Sequence, residues 1–558
     1  MNTADIRADV SGVVAGPVAE TPNALHIQSP PGAAWSTINA AEAVPGVMTP
    51  LTASAWGPAC EMCIRESFYA IGALTKELRK ISSDPETCVT APFYGRMAVR
   101  VDFLCKIGDL VPGQNGGSIA RDVFGFVPPG YVSNPSYKRL PLVATRYPRS
   151  LWSTTKLVRR QRVETDRWWR REIAALPSMN LGQAQRLLQQ AVPHFQRMIA
   201  DHSILVVCAM QPAYEQLAKI AATAGVDPTA LVRGHGEHEE NVVLEDMWAV
   251  SRNRLTLEEF LLRHGYHGPS EGEAISTSWR EDPTPVIRTV EQYRSMPDAQ
   301  APFADRDQDA AQSRAAERAL LAAADGPLGR VKTRLILKFA RTYVPMRGVG
   351  KVSYLQSIDL IRASARHIGV LLTAADRLDD PDDAFYLTDS EICGSLVSDP
   401  TADLRSVVAE RRSLRQRYLG LDLPTVWLGQ PEATVRQAID YSDHKELTGI
   451  AASPGVVTGR AVVVLDPSEA EVEDGDILVA YTTDPAWVSL MFLSQALVVD
   501  IGGLMSHAAV VARELGIPCV MNTGIGTKAL QTGDTIRVDG SAGTVEIVHR
   551  SAHDEGEG

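Results

Sequence analysis

The hydrophobic pattern of this chain changes its period near residue 446, and the change limits what the chain can fold into. From Trp35 to about Ser442, apolar residues recur at three- and four-residue spacing, which is typical of amphipathic helices. After Glu446, short valine-rich runs alternate with Gly-Asp and Pro-Gly turns, which is typical of strands. The sequence therefore predicts a multidomain α+β protein, with a large, mainly α-helical domain followed by a small α/β domain.

The composition along the chain places the boundaries of these parts. The first residues contain scattered Gly, Pro and Ala with little periodicity, and the residues after the helical pattern are polar enough to act as a linker. We predict a flexible N-terminal segment (1–35), the helical domain (36–440), a linker (441–450), the small α/β domain (451–550) and a tail (551–558).

The overall composition excludes several classes of protein. The chain has 558 residues, of which 45% are hydrophobic and 22% charged, and its formal net charge is −12. A negative balance without a broad basic stripe argues against a nucleic-acid partner. The N-terminus has no basic region followed by an apolar run, and no segment approaches ~18 uninterrupted apolar residues, so we expect neither secretion nor a membrane span. Seven cysteines form no dense framework, and we place the protein in the cytoplasm.

The most informative short segment begins at Gly502 and contains one histidine, His507. The preceding valines predict a buried strand, Gly502 and Gly503 permit a turn with positive φ, and Ser506 is a good N-cap for the helix that follows. His507 then lies in the first helical turn, where free backbone N–H groups and the positive end of the helix favour an anion. A phosphoryl group on the imidazole, with Gly503 and Ser506 beside it, suits such a place.

A longer set of residues resembles the swivelling phosphohistidine domain of the PEP-utilising enzyme family, which includes phosphoenolpyruvate synthase and rifampin phosphotransferase. The matching stretches are Ala452–Ala461, Gly475–Val479, Thr483–Trp487, Gly502–Pro518 and Gly533–Gly540. In that family the histidine is phosphorylated at one site, and its domain swings to deliver the phosphoryl group at another. The resemblance implies that His507 is the carrier.

The helical part resembles the acceptor-binding region of rifampin phosphotransferase. The similarity rests on four places: Trp35–Thr52, Leu261–Pro283, the pair Arg347 and Lys351, and Asp380–Leu387. It implies that the helical domain binds a small organic acceptor that bears a hydroxyl group.

Arg347 and Lys351 are the predicted clamp for the phosphoryl group. If this stretch is helical, the two cations are four residues apart on one face, where they repel each other unless an anion lies between them. Gly348 and Gly350 lie between them and weaken a helix by roughly 1 kcal/mol each. Without the family resemblance, the pair is interpreted as ordinary surface charges, and the two glycines leave a loop open as an alternative to the helix.

The acceptor's proton needs a base, and a second polar cluster supplies candidates for it. The candidates for acceptor binding or general base catalysis are His264, His267, Glu271, Glu273 and Arg280. Taken alone, these residues could also form a structural polar network or a divalent-metal site, but their spacing matches no specific ligand pattern. We predict no metal bound by this chain.

These inferences predict a phosphotransferase component that receives its phosphoryl group from another polypeptide. We expect a separate ATP-grasp subunit to phosphorylate His507 with ATP and Mg²⁺, as in the split arrangement of phenylphosphate synthase, and we expect this chain to bind no cofactor firmly. The phosphate ester is then either the product or an activated intermediate for elimination. Two alternatives stay open: a binding or regulatory protein that keeps the architecture, and an enzyme that uses the cleft without a phosphohistidine.

Overall fold

The computed structural model describes residues 23–551, apart from 39, 45, 82–84, 229, 233–238, 303–305, 437–440, 442–443, 468–469, 484–486 and 504–505. Most of the predicted flexible segment (1–35), most of the predicted tail (551–558) and part of the predicted linker therefore lie outside the described residues.

Helices dominate the described chain before residue 420. In chain order, the α-helices are α1 (Ala40–Ala43), α2 (Pro50–Ala70), α3 (Lys76–Arg79), α4 (Val101–Leu110), α5 (Gly116–Phe124), α6 (Leu140–Ala175), α7 (Leu181–Leu205), α8 (Gln211–Ala224), α9 (Glu239–Ser251), α10 (Leu257–His264), α11 (Thr284–Ser295), α12 (Arg306–Ala322), α13 (Gly326–Tyr343), α14 (Met346–Ala374), α15 (Asp389–Cys393), α16 (Ser395–Ser398), α17 (Leu404–Leu419), α18 (Val488–Leu493), α19 (His507–Leu515) and α20 (Gly526–Ala529). Short 3₁₀ turns occur at Leu176–Ser178, Asp298–Gln300 and Pro381–Tyr386, and a π-helical turn at Val206–Met210 joins α7 to α8.

Strands are concentrated at the C-terminal end. They are β1 (Ala34–Ser36), β2 (Thr90–Phe93), β3 (Arg96–Arg100), β4 (Leu421–Asp422), β5 (Val426–Leu428), β6 (Thr434–Val435), β7 (Glu446–Thr448), β8 (Ile450–Ser453), β9 (Val456–Val464), β10 (Ile477–Ala480), β11 (Ala496–Val499), β12 (Cys519–Met521), β13 (Thr535–Asp539) and β14 (Thr544–His549). The expected fold class is confirmed: a mainly helical region is followed by a small α/β domain.

Three long helices form the core of the helical domain. α7 packs against both α2 and α14. Local sequence fixes where the first two begin: the Thr49 side chain accepts a hydrogen bond from the Thr52 N–H, and Asn180 and Gln183 form a reciprocal capping box. Buried side chains between the helices include Leu51, Trp56, Leu188, Phe195, Leu355 and Ile361. Burying each of the larger ones contributes about 1.5–3 kcal/mol, which gives α14 a rigid support.

A small antiparallel sheet borders this helical core, with strand order β2-β3-β1-β5. β1 includes Trp35, whose side chain is fully buried against Phe93. Residues 23–35 belong to the segment that the sequence assigned as flexible, yet Leu25 and Ala33 among them are also buried. These residues show weak apolar periodicity because they form a short edge of the fold, which a few buried apolar side chains hold in place.

The C-terminal domain is built on an eight-stranded sheet with order β7-β14-β13-β9-β10-β11-β12-β8. Its central strands β9 to β12 run parallel and are covered on both faces, which explains their continuous apolar sequences. The outer strands are antiparallel. β7 lies within the range 441–450 assigned to the linker, and it pairs with β14 because Leu447 is buried in the core of this domain.

The two regions pack directly against each other through an apolar junction. Trp248 on α9 and Tyr293 on α11 contact Phe492 of α18, with ring centroids 6.5 and 5.4 Å away. The Tyr293 hydroxyl also donates to the carbonyl oxygen of Ser489 at 3.4 Å. This junction holds the C-terminal domain so that α19 lies against the helical domain.

Candidate functional site

A strained turn places the first residue of α19. Gly502, which follows β11, has φ +142°, and a Cβ at this position would lie 2.4 Å from Cε of Met521. Glycine is therefore required for both the backbone angle and the close packing. Ser506 has the extended backbone of an N-cap, as predicted, but its hydroxyl makes no capping hydrogen bond, and among the described residues its Oγ has no partner. Gly503 lies in the same turn with open space where a side chain would begin.

His507 is the first residue of α19, and its side chain is buried, with 5% exposed. Its Nδ1 lies 3.1 Å from Oγ1 of Thr483, within hydrogen-bond distance. Its Nε2 is also buried but has no hydrogen-bond partner among the described residues. A buried polar atom without a partner is costly, and such atoms in native proteins often mark a functional site. One ring nitrogen is therefore fixed, and the other is left for a ligand.

The surroundings of His507 keep its imidazole neutral. Burial lowers the pKa of His507 well below its usual value, and the positive charges of Lys351 and Arg347, followed by His267, lower it further. A neutral imidazole has a nitrogen lone pair, which a nucleophile requires at neutral pH. If Nδ1 carries the proton and donates it to Thr483, the lone pair is on Nε2.

The cations Arg347 and Lys351 both lie in the first turns of α14, which begins at Met346. The helical alternative for this stretch is thus the observed one, and the pair shares one face. Arg347 forms no ion pair with any residue that the structure describes, whereas Nζ of Lys351 lies 3.7 Å from Oε2 of Glu271. Both cations lower the pKa of His507, so their positive charges reach its imidazole.

Gly350, one of the two glycines between the cations, has a packing role. A Cβ at Gly350 would lie 2.3 Å from Nδ1 of His202, so only glycine lets the imidazole approach this turn of α14. Burial, with Arg347 and Lys351, lowers the pKa of His202 to about 3. His202 on α7 is therefore a second neutral imidazole beside the cationic pair.

A chain of polar contacts leads from the pair to the predicted base candidates. Lys351 contacts Glu271, and Glu271 in turn accepts a short hydrogen bond from Nδ1 of His267. His267 is also near enough to lower the pKa of His507. The structure thus brings together five sequence-predicted residues: His507, Arg347, Lys351, His267 and Glu271.

Two other predicted residues, His264 and Glu273, have different partners. Nε2 of His264 lies 2.8 Å from Oδ2 of Asp246. Glu273 accepts hydrogen bonds from the Thr49 and Thr52 hydroxyls at 2.7 and 2.5 Å, which ties the start of α2 to this loop. These carboxylate contacts are those of a structural network.

Arg280 belongs to a buried ionic network further along α14. Its Nη2 lies 3.3 Å from Oδ1 of Asp359, which also pairs with Arg362 at 3.1 Å and accepts a hydrogen bond from the Trp169 indole at 2.8 Å. Arg280 thereby fixes the loop after α10 onto α14, the helix that carries the cationic pair.

Thr483 and His202 are site residues that the sequence did not single out. Thr483 lies in one of the stretches resembling the swivelling domain, so its motif could have indicated a role. His202 lies inside a long amphipathic helix and has no local motif. Only the packing of α7 against Gly350 identifies it.

Two further properties concern only the described residues. Within them, no group of three or more His, Cys, Asp or Glu side chains is arranged to hold a metal ion. No helix in this same part of the chain is long and apolar enough to cross a membrane.

Comparisons with known proteins match both the small α/β domain that contains this buried histidine and part of the helical region before it. Residues 472–543 match the family model described as PEP-utilising enzyme, mobile domain. Residues 173–348, from the end of α6 to the start of α14, match the model described as rifampicin phosphotransferase fourth domain. Two regions of the chain are thus similar to domains of PEP-utilising enzymes: one to the mobile domain and one to the rifampicin phosphotransferase fourth domain.

Individual relatives agree with these matches. An uncharacterised protein of Mycobacterium tuberculosis is 32% identical over 343 residues, which cover 61% of this chain and 36% of that protein. A rifampicin phosphotransferase of Streptomyces sviceus is 32% identical over 304 residues, covering 53% of this chain and 34% of its own. The matched part is thus about a third of the length of these relatives. A solved structure of aconitase X from Thermococcus kodakaraensis overlaps 19% of this chain and 100% of its own at 20% identity and a TM-score of 0.17, which carries no functional argument.

Proposed function

We propose that this chain is a phosphotransferase component in which Nε2 of His507 carries a phosphoryl group to a hydroxyl of a small organic acceptor bound by the helical domain. The observation that carries the proposal is the buried, unpartnered Nε2 at the start of α19, in the field of Arg347 and Lys351. The relatives named rifampicin phosphotransferase make rifampicin the first acceptor to test.

The transfer step needs positioning and positive charge more than covalent help. Phosphoryl transfer passes through a loose transition state with charge spread over the phosphoryl oxygens. Arg347 and Lys351, together with the free N–H groups at the start of α19, supply cations and donors for those oxygens. The turn before α19, which includes Gly503 and Ser506, would hold the same oxygens before transfer.

His267 is the proposed base for the acceptor hydroxyl. In the step, the P–N bond to His507 breaks, a P–O bond to the acceptor forms, and the hydroxyl proton moves to His267. Glu271 orients His267 through Nδ1 and stabilises the imidazolium that results. His507 is left as a neutral imidazole, which agrees with its lowered pKa.

The phosphoryl donor is proposed to be a separate ATP-grasp polypeptide that uses ATP and Mg²⁺ in the cytoplasm. The match of residues 472–543 to the mobile domain of PEP-utilising enzymes supports the carrier role of this domain, and the separate donor is part of the proposal. The ester that forms is either released or serves as a leaving group in a later elimination.

Intact-protein mass spectrometry at alkaline pH tests the proposal. The chain is incubated with ATP, Mg²⁺ and a candidate ATP-grasp protein encoded beside it. We expect a mass increase of one phosphoryl group that requires the partner, disappears in His507→Ala and remains in His444→Ala, which changes an exposed histidine of the same region. An increase that survives His507→Ala would contradict the proposal. No increase with any donor would favour the binding-protein alternative.

A further inference from the structure

Arg513 links the carrier helix to the helical domain. It lies on α19, the same helix that begins with His507. Its Nη1 donates to the Tyr214 hydroxyl at 3.0 Å, and its guanidinium carbon lies 5.5 Å from the centre of the Tyr214 ring. Both side chains are buried, with 7% of Arg513 and 8% of Tyr214 exposed. A planar cation thus both hydrogen-bonds and lies over an aromatic ring across the junction.

Tyr214 belongs to a helical rod that also contacts the cationic pair. The rod runs from α7 through the π turn Val206–Met210 into α8, and it carries His202 before that turn and Tyr214 after it. His202 packs on Gly350 of α14, and Tyr214 contacts Arg513 of α19. One rigid element therefore sets the distance between the cationic pair and the carrier helix.

The π turn brings the two contacts of this rod, one with α14 and one with α19, closer to the same face. Twelve residues of regular α-helix at ~100° per residue would place Tyr214 about 120° around the axis from His202. A π turn, with its i→i+5 hydrogen bonds, rotates the chain less per residue and reduces this angle. The turn thus moves Tyr214 towards the face that carries His202.

The contact can orient the domain without holding it permanently. Arg513 is nearly removed from water when the domain is docked, and this desolvation offsets part of the attraction. When the domain leaves, the guanidinium is hydrated again. A purely apolar contact of the same area would gain no favourable hydration when the domain leaves.

We infer that Tyr214 is a positioning residue that, through Arg513, fixes the docked orientation of α19 and thereby the location of His507 against Arg347 and Lys351. Its importance for transfer rests on the proposed carrier function, but the docking can be measured on its own. Tyr214 touches neither the phosphoryl group nor the acceptor in this account.

The test uses the full chain and diethyl pyrocarbonate, a reagent that modifies neutral imidazoles. His507 reacts only when the domain opens, because it is buried when docked. Peptide mass spectrometry gives the modification rate of His507 relative to exposed His444. In Tyr214→Phe we expect this ratio to rise about tenfold, from the loss of one hydrogen bond to a charged group.

Two further variants keep the inference falsifiable. Tyr131→Phe removes a tyrosine hydrogen bond to Asp109 within the helical domain and should leave the ratio unchanged. In an Arg513→Met background, Tyr214→Phe should add no further increase, since the side chain that donates to the Tyr214 hydroxyl is gone. An unchanged ratio in Tyr214→Phe, or a full tenfold effect without Arg513, would overturn the inference. This test uses no phosphoryl donor. Failure to phosphorylate His507 would therefore contradict the proposed function without affecting the measured role of Tyr214 in docking.

Discussion

The proposed carrier side and the proposed acceptor side of this site are assembled in different ways. On the carrier side, Gly502, Ser506 and His507 come from one short turn and helix start. On the acceptor side, His202, His267 and the pair Arg347 and Lys351 come from α7, the loop after α10 and the start of α14. A local motif builds the first, and long-range packing builds the second.

The difference suggests which substitutions act on only one half of the reaction. A change on the acceptor side should leave the loading of His507 intact, because the carrier turn is built within its own domain. The same change should slow transfer, because the cations and the base belong to the helical domain. Loading and discharge measured separately therefore test the comparison.

The largest effect is expected for the proposed base. His267→Asn keeps a side chain that can hydrogen-bond Glu271 but cannot accept the proton, so transfer to the acceptor should slow by about 10²–10⁴-fold. Single-turnover discharge of phosphorylated chain, followed by mass spectrometry, measures this rate. His264→Asn changes the neighbouring imidazole, which pairs with Asp246, and should slow discharge far less. Equal losses in both variants would mean that the whole loop matters and His267 has no special role.

Removal of a cation should have the next largest effect. Lys351→Ala deletes one of the two charges that stabilise the transferring phosphoryl group, and we expect discharge to slow by about 10²–10³-fold with loading unchanged. The same single-turnover assay applies. Lys338→Ala, an exposed lysine on α13, is the matched control and should behave as the wild type. A discharge rate unaffected by Lys351→Ala would remove the cationic pair from the account.

A smaller effect, on stability, tests how the acceptor side is packed. Gly350→Ala forces a Cβ into Nδ1 of His202 and should cost about 1–3 kcal/mol of unfolding free energy. Denaturant unfolding measures it. Gly182→Ala, on α7, meets only ordinary contacts at 3.6 Å or more and should be neutral or slightly stabilising. Adding His202→Ala should relieve the Gly350→Ala variant; a loss that persists would place the clash elsewhere.

The pH dependence of stability gives the smallest expected effect. The pKa of His202 is about 3 in the folded chain, whereas its ordinary value, taken for the unfolded chain, is 6.5. Between these two pH values the unfolded state therefore binds one more proton than the folded state. Stability should therefore fall as pH drops below about 6.5, and His202 contributes at most ~1.4 kcal/mol per pH unit. His202→Gln should reduce the slope of unfolding free energy against pH between 5 and 6.5 by about one proton. The exposed His444→Gln should leave it unchanged, and an unaltered slope in His202→Gln would contradict the buried neutral state.

Sequence reasoning reached the carrier side because its signals are local. The strand, the glycine turn, the N-cap position and His507 are consecutive, and the structure shows them as expected apart from the missing Ser506 side-chain cap. The helical pattern predicted from Trp35 to about Ser442 also includes α14, which the structure shows as a long helix.

The acceptor side was only partly predictable because its residues meet through tertiary packing. Helix propensity could not decide whether Arg347 and Lys351 lie in a helix or in a loop. It cannot show that His202 packs where Gly350 has no side chain. Composition likewise could not separate Glu271, near the cations, from Glu273, which binds Thr49 and Thr52. The linker range 441–450 missed β7 because a three-residue strand with one buried leucine has almost no periodicity.

The central claim is that Nε2 of His507 is the phosphoryl carrier, with Nδ1 held by Thr483. The most direct test is ³¹P NMR of the full chain after reaction with phosphoramidate, a small donor that needs no partner, with His507→Ala and His444→Ala as controls. We expect an Nε2-phosphohistidine signal that is lost in His507→Ala and retained in His444→Ala. Phosphorylation of His507 through Nδ1, or of exposed histidines while His507 stays unmodified, would contradict it.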